Sequence, residues 1–135
     1  MGQLEFGQEI ELQTLLDSSG SLTIIDSLNL AGFETLRVYF LHSLQPESVR
    51  GSHAHLTLRQ IIVPVAGNFT LHLTNSGDQK VIEARSPKLG YYVPPLTWRE
   101  ISHFSPDAVC LVLASASFSE EDYIRDRKTF DLLSS

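Results

Sequence analysis

Arg50-Gly51-Ser52-His53-Ala54-His55 is the stretch on which the reading of this chain turns. Two histidines stand two residues apart. An extended strand has a side-chain period of two, so both imidazoles fall on one face. A largely apolar run follows over residues 58–65, and Gly67 marks a turn. Upstream lies a second strand-like run, Thr35-Leu36-Arg37-Val38-Tyr39-Phe40-Leu41. Its alternation puts Leu36, Val38 and Phe40 on one face and Arg37, Tyr39 and Leu41 on the other. A cation, a phenol and two imidazoles on neighbouring strands can converge in one pocket. Taken alone, a His-x-His pair is more often a solvated strand face, so the surrounding chain has to decide.

The rest of the sequence reads as short strands separated by turns. Residues 4–16 fit a short strand or an irregular lead-in, and Asp17-Ser18-Ser19-Gly20 is a turn cluster. Strands are expected over 22–25, 35–41, 60–65, 69–73, 80–84, 91–93, 98–101 and 109–114, with loops at 29–32 and 45–48. Pro64 donates nothing to a ladder, so a bulge or an edge is expected there. Asn75-Ser76-Gly77-Asp78 is a hairpin signal. Only the tail looks helical. Ser119-Glu120-Glu121-Asp122 resembles a capped start, with a helix expected through Tyr123 and Ile124 and with Phe130, Leu132 and Leu133 docking on the sheets. Strands of this length and spacing, with no βαβ pattern and no repeat, predict an all-β jelly roll closed by a short C-terminal helix. Such a fold leaves a mouth lined by inward-facing polar groups.

The 135 residues suit one domain, 1–135, with a real core. A 42% hydrophobic and 19% charged composition excludes a disordered chain. The formal net charge of −6 argues against a nucleic-acid or anionic-membrane partner. It leaves room for an anionic small molecule, which a few local arginines can hold. The one cysteine, Cys110, sits in an apolar run and reads as a buried small hydrophobe. No signal peptide and no apolar run of about 20 residues is seen, so a cytoplasmic location is the default expectation.

His53 and His55, Gln60 five positions on, and Gly67 resemble a cupin motif. Metal-binding cupins carry an acidic ligand at the position of Gln60 and a further histidine downstream, which residues 90–99 lack. Two ligands make an incomplete metal site, so no metal and no cofactor is expected. A closer resemblance runs through five ordered blocks: Arg37-Val38-Tyr39, then residues 50–55, then Tyr92-Val93-Pro94-Pro95-Leu96-Thr97-Trp98-Arg99, then residues 109–115, then Glu121-Asp122-Tyr123-Ile124-Arg125-Asp126. Together they are similar to the sugar 3,4-ketoisomerases of deoxysugar synthesis. That resemblance implies a cupin double-stranded β-helix and a homodimer with exchanged N-terminal strands. It also implies a dTDP-linked 4-keto-6-deoxyhexose substrate, isomerised to the 3-keto sugar on the way to 3-amino sugars. The pattern departs at Leu56, where a cation is usual, at Gly32-Phe33, and at Phe118, where tyrosine is common.

Carried over residue by residue, the resemblance implies His53, His55 and Tyr39 as catalytic groups. Arg37, Arg50, Gln60 and Trp98 would bind substrate. Moving a carbonyl between neighbouring carbons needs a base, an enediol(ate) and proton return, which imidazoles near neutral pH can supply. His53 is the favoured base. His55 then positions the sugar or shuttles a hydroxyl proton, and Tyr39 relays a proton or stabilises an oxyanion. The arginines suit phosphate oxygens, and Trp98 offers a flat face. Two other readings stand beside this one: a sugar-nucleotide-binding cupin without catalysis, and a metal-dependent cupin enzyme.

Overall fold

The computed structural model describes residues 4–135; residues 1–3 of the expected 1–135 domain lie outside the described part. In chain order the strands are β1 (Glu9–Glu11), β2 (Gln13–Asp17), β3 (Gly20–Ile24), β4 (Arg37–Leu41), β5 (Arg50–His55) and β6 (Gln60–Ala66). They continue as β7 (Phe69–Asn75), β8 (Asp78–Ala84), β9 (Leu89–Val93), β10 (Trp98–Ser102), β11 (Val109–Ala114) and β12 (Tyr123–Ile124). Two helices, α1 (Ser27–Ala31) and α2 (Arg127–Ser134), complete the set. One antiparallel sheet has the order β1-β9-β6-β11-β4, the other β12-β5-β10-β7-β8, and β2–β3 is a separate hairpin. From β4 to β12 every connection crosses between the sheets except the β7–β8 hairpin. That winding is the double-stranded β-helix expected from the strand spacing.

Alternation sorts the side chains into three apolar layers. Across the first sheet, Tyr39, Val112, Ile62 and Tyr91 are register partners and face inward. They meet Phe69, Leu71, Leu73 and Ile101 of the second sheet in the central core. Each such side chain, fully buried, contributes roughly 1.5–3 kcal/mol. On the outer face of the first sheet, Ile61, Val63, Tyr92 and Leu113 pack under Ile10, Leu12 and Phe33. On the outer face of the second, Ala54, Trp98, Ile124 and Phe130 form a smaller cluster beneath α2. Cys110 is fully buried, and burial pushes its thiol up to about 12, as expected of an inert core residue.

Several local expectations are met and others corrected. Pro64 lies where β6 has left β9, whose pairing covers only Gln60 to Ile62. The register with β11 slips between Ala66 and Pro64, which is the expected bulge. The stretch 29–32 is not a loop: it belongs to α1, capped by Asp26, with Gly32 at φ +75 closing it. The capping signal at Ser119 yields a single 3₁₀ turn, Glu120–Asp122, with no side-chain cap bond. Tyr123 and Ile124 are then strand, not helix, because the free edge of β5 offers them a ladder. The helix begins at Arg127, where Asp126 accepts from Thr129 N at 3.0 Å. Phe130 docks as expected, but Leu132 and Leu133 are exposed.

The docking of α2 therefore rests on one aromatic. Phe130→Ala should lower stability to urea by about 3–5 kcal/mol. Leu132→Ala should change it by less than about 0.5 kcal/mol. Equal losses would mean that α2 packs through a different face.

Candidate active site

The interior between the sheets is apolar over most of its length and turns polar at the end where β4, β5 and β10 come together. Register explains the cluster. His53 lies opposite Arg99 across β5–β10, so their side chains share the inner face. Tyr39 points inward from β4. A cavity of about 310 Å³ opens there, with His53, Tyr39, Arg37, Arg50, Arg99, Arg125 and Tyr123 on its walls. Four guanidinium groups and no carboxylate line it, in a chain whose formal net charge is −6. The site thus selects for an anionic ligand.

Arg99 organises the contacts. It is 2% exposed. Its Nε donates to His53 Nε2 at 3.3 Å and its Nη2 to the Tyr39 hydroxyl at 2.9 Å. Its Nη1 has no partner among the described residues. Gln60 Nε2 also donates to the Tyr39 hydroxyl, at 3.2 Å. With two donors already directed at that oxygen, the phenolic hydrogen is left to donate into the cavity. Behind His53 stands His55, buried at 4% exposure, its ring edge-on to His53 at 4.9 Å. Tyr123 packs on both rings, at 4.9 and 4.4 Å. His55 Nδ1 lies 3.1 Å from Asp122 Oδ2.

Both imidazoles are held neutral at physiological pH. Burial, then the Arg99 charge, then His55, Arg125 and Arg37 push His53 down to about 3. Burial and Arg99 push His55 down to about 4, with Asp122 pulling part of the way back. A neutral ring keeps a lone pair, which is the state a base needs.

The residues expected from sequence divide by position. Tyr39, His53, Arg37 and Arg50 line the cavity, and His55 backs it. Gln60 is fully buried and holds Tyr39, so it does not reach the open space. Trp98 is elsewhere: it lies in the cluster under α2, 5.6 Å from the Phe130 ring. The cause is strand alternation. Arg99 faces inward, so its neighbour must face out. Arg99, Asp122, Tyr123 and Arg125 were given no role by the sequence reading. Strand alternation shows that only one of Trp98 and Arg99 faces inward, and the register with β5 selects Arg99.

A family model described as FdtA: WxcM-like, C-terminal, matches residues 7–134. The chain belongs to this family of sugar 3,4-ketoisomerases. It is 37% identical over 121 residues to the TDP-4-oxo-6-deoxy-α-D-glucose-3,4-oxoisomerase of Aneurinibacillus thermoaerophilus, covering 90% of this chain and 87% of the relative. The solved 3,4-ketoisomerase of Thermoanaerobacterium thermosaccharolyticum is also similar. Its His-to-Asn variant in complex with TDP-4-keto-6-deoxyglucose gives a TM-score of 0.92 at 31% identity, over 98% of this chain and 96% of that one. The TDP-quinovose 3,4-ketoisomerase of Campylobacter jejuni gives 0.89 at 30%, over 96% and 99%. The FdtA-family chain has no helix long and apolar enough to cross a membrane among its described residues. Nor do three His, Cys, Asp or Glu side chains come together there as a metal site. Arg99 occupies the inner position on β10, opposite His53.

The depressed histidines carry a pH consequence. Unfolding restores each ring to its ordinary value near 6.5, so below that pH the unfolded chain binds more protons. Their contribution to stability is complete above about pH 6.5 and is lost as pH falls toward the folded values of about 3 and 4. Urea midpoints should fall between pH 7 and pH 4.5, and the slope should be shallower in His53→Asn. A midpoint that is flat, or equally steep in the variant, would contradict the burial of neutral rings.

Proposed function

We propose that the protein moves the keto group of a dTDP-linked 4-keto-6-deoxyhexose from carbon 4 to carbon 3 through an enediol(ate). The observation that carries this reading is the convergence of His53, Tyr39 and Arg99 on one arginine-rich cavity. The complex of the Thermoanaerobacterium thermosaccharolyticum relative with TDP-4-keto-6-deoxyglucose supports the choice of sugar nucleotide. Arg37, Arg50 and Arg125 suit the pyrophosphate oxygens. Arg125 also borders the neighbouring groove beside Leu56, so it can supply the cation that Leu56 does not.

His53 is the base, because it lines the cavity and His55 does not. Its lone pair takes the proton from carbon 3, which the adjacent ketone acidifies. The electron pair of that C–H bond becomes the C3–C4 double bond, and the carbonyl oxygen becomes an oxyanion. As the ring becomes imidazolium, the long Arg99 contact to Nε2 has to open. The freed N–H, the unpartnered Nη1 and the Tyr39 hydroxyl then donate to the oxyanion. Return of a proton to carbon 4, with the hydroxyl proton of oxygen 3 passed through the Tyr39 hydroxyl to the oxyanion on oxygen 4, gives the 3-keto sugar. No electrons leave the substrate, so the step needs no redox cofactor, and the guanidinium supplies the positive charge. The product suits a later amination at carbon 3.

We also propose a homodimer. Val38 and Phe40 expose an apolar face on β4, and Leu15, Leu22 and Ile24 do so on one face of the β2–β3 hairpin. Within one chain that hairpin joins neither sheet. A second copy would cover both. Light scattering at micromolar concentration should give twice the 15.1 kDa chain mass; a clean monomer would remove this part.

Turnover of dTDP-4-keto-6-deoxyglucose in deuterated water, followed by proton NMR, tests the chemistry. The isomerised product should carry deuterium at carbon 4. His53→Asn should lose at least about 100-fold in kcat, and Tyr39→Phe should lose less. Product without deuterium would replace the enediol by an internal transfer, and a fully active His53→Asn would move the base elsewhere.

A further inference from the structure

The reaction above uses His53, Tyr39 and Arg99. It leaves a buried imidazole, His55, and the half-buried carboxylate behind it, Asp122, without a use in that reaction. Asp122 lies in the one-turn 3₁₀ segment, Glu120–Asp122, between β11 and β12. Its carboxylate receives three hydrogen bonds. One oxygen takes Thr57 N and Thr57 Oγ1, each at 2.8 Å, and the other faces His55 Nδ1 at 3.1 Å. Its own backbone carbonyl accepts from Leu56 N at 2.9 Å. The next residue, Tyr123, is the register partner of His55 and forms a wall of the cavity.

An ionised carboxylate can only accept, so the proton between Asp122 and His55 belongs to Nδ1. His55 is neutral near pH 7 and has a single ring proton. Nε2 is therefore a bare lone pair. That atom is buried and has no partner among the described residues. A buried acceptor left empty costs about 1–3 kcal/mol, and such atoms are rare outside working sites. Were the tautomer reversed, Nε2 would present a hydrogen and could not take one.

We propose that Asp122 is a positioning residue for the reaction: it fixes His55 as the Nδ1–H tautomer, with a bare Nε2 in the ring that packs edge-on against His53, and clamps the Tyr123 wall to the same strand. This rests on the isomerase reading given above. Within it, His55 does not meet the sugar: it packs behind His53 in one fixed tautomer and holds that ring in place. His53 handles the carbon-bound proton. The two rings are then not interchangeable, and the carboxylate behind only one of them is the reason.

The test separates clamp from tautomer. In Asp122→Asn the amide oxygen can still serve Thr57, but the NH2 group faces Nδ1 and favours the Nε2–H form. Long-range ¹H–¹⁵N spectra of uniformly labelled protein read the tautomer without any substrate. The wild type should show His55 as Nδ1–H and the variant as Nε2–H. With dTDP-4-keto-6-deoxyglucose, kcat of the variant should fall at least about 100-fold, with KM within about threefold of wild type. Thr57→Val removes one hydrogen bond of the clamp and leaves the His55 contact, and its kcat should stay within about threefold. An Nε2–H ring in the wild type, a fully active Asp122→Asn, or a Thr57→Val as impaired as Asp122→Asn would overturn the proposal. If Asp122→Asn does not fold, the wild-type tautomer decides. A wild type that shows the Nδ1–H ring but no turnover would instead overturn the isomerase reading on which the role depends.

Discussion

A guanidinium at 2% exposure, donating to two neutral side chains, is an expensive object in a protein interior. Moving a charge out of water is costly unless something compensates, and carboxylates are the usual compensation. Arg99 has none beside it among the cavity walls. Its positive charge is instead shared with Tyr39 and His53, and, after burial, it is the next cause that keeps both histidines unprotonated. The polar end of the sandwich is organised around this uncompensated charge. It suits an anionic ligand, keeps the base in its basic form, and leaves one N–H without a partner.

The same cation clarifies the relation to metal-binding cupins. In those proteins a divalent ion gathers the histidines. Here the guanidinium gathers one histidine and the phenol from a fixed position on β10, and its fork geometry sets where they point. Gln60, at the place of an acidic ligand, is neutral and fully buried. A carboxylate in its place would lie close to the arginine and cancel the charge the site uses. The amide holds Tyr39 without doing so.

Much of this was legible in the sequence, and the legible part follows one rule. Period-two alternation put His53 with His55 and Arg37 with Tyr39, and the strand-and-turn spacing gave the jelly roll. The misses come from pairs of neighbours. Trp98 and Arg99 are adjacent on a strand, so only one can face inward, and choosing between them needs the register with β5. Arginine is the less expected of the two in a core, and it is the one that is there. Asp122 was read as part of a helix start because an acidic triplet before an apolar residue has that form. Its actual partners, His55 and Thr57, are 67 and 65 positions away and leave no local trace. Tyr123 and Ile124 became strand for a similar reason, since a free edge of β5 was waiting for them.

Those long separations also order the assembly of the molecule in time. The strand bearing His53 and His55 leaves the ribosome early, whereas Asp122 and the two residues of β12 follow 67 positions after His55. At about 5–20 residues per second, that gap is roughly 3–13 s. Through that interval β5 has a bare edge and the cavity lacks a wall. Helix α2, which follows β12, seats Phe130 against Trp98 on the reverse side of the strand that carries Arg99. A nascent chain thus holds its histidines long before it can use them, and a competent site appears only when β12 and α2 are free to dock.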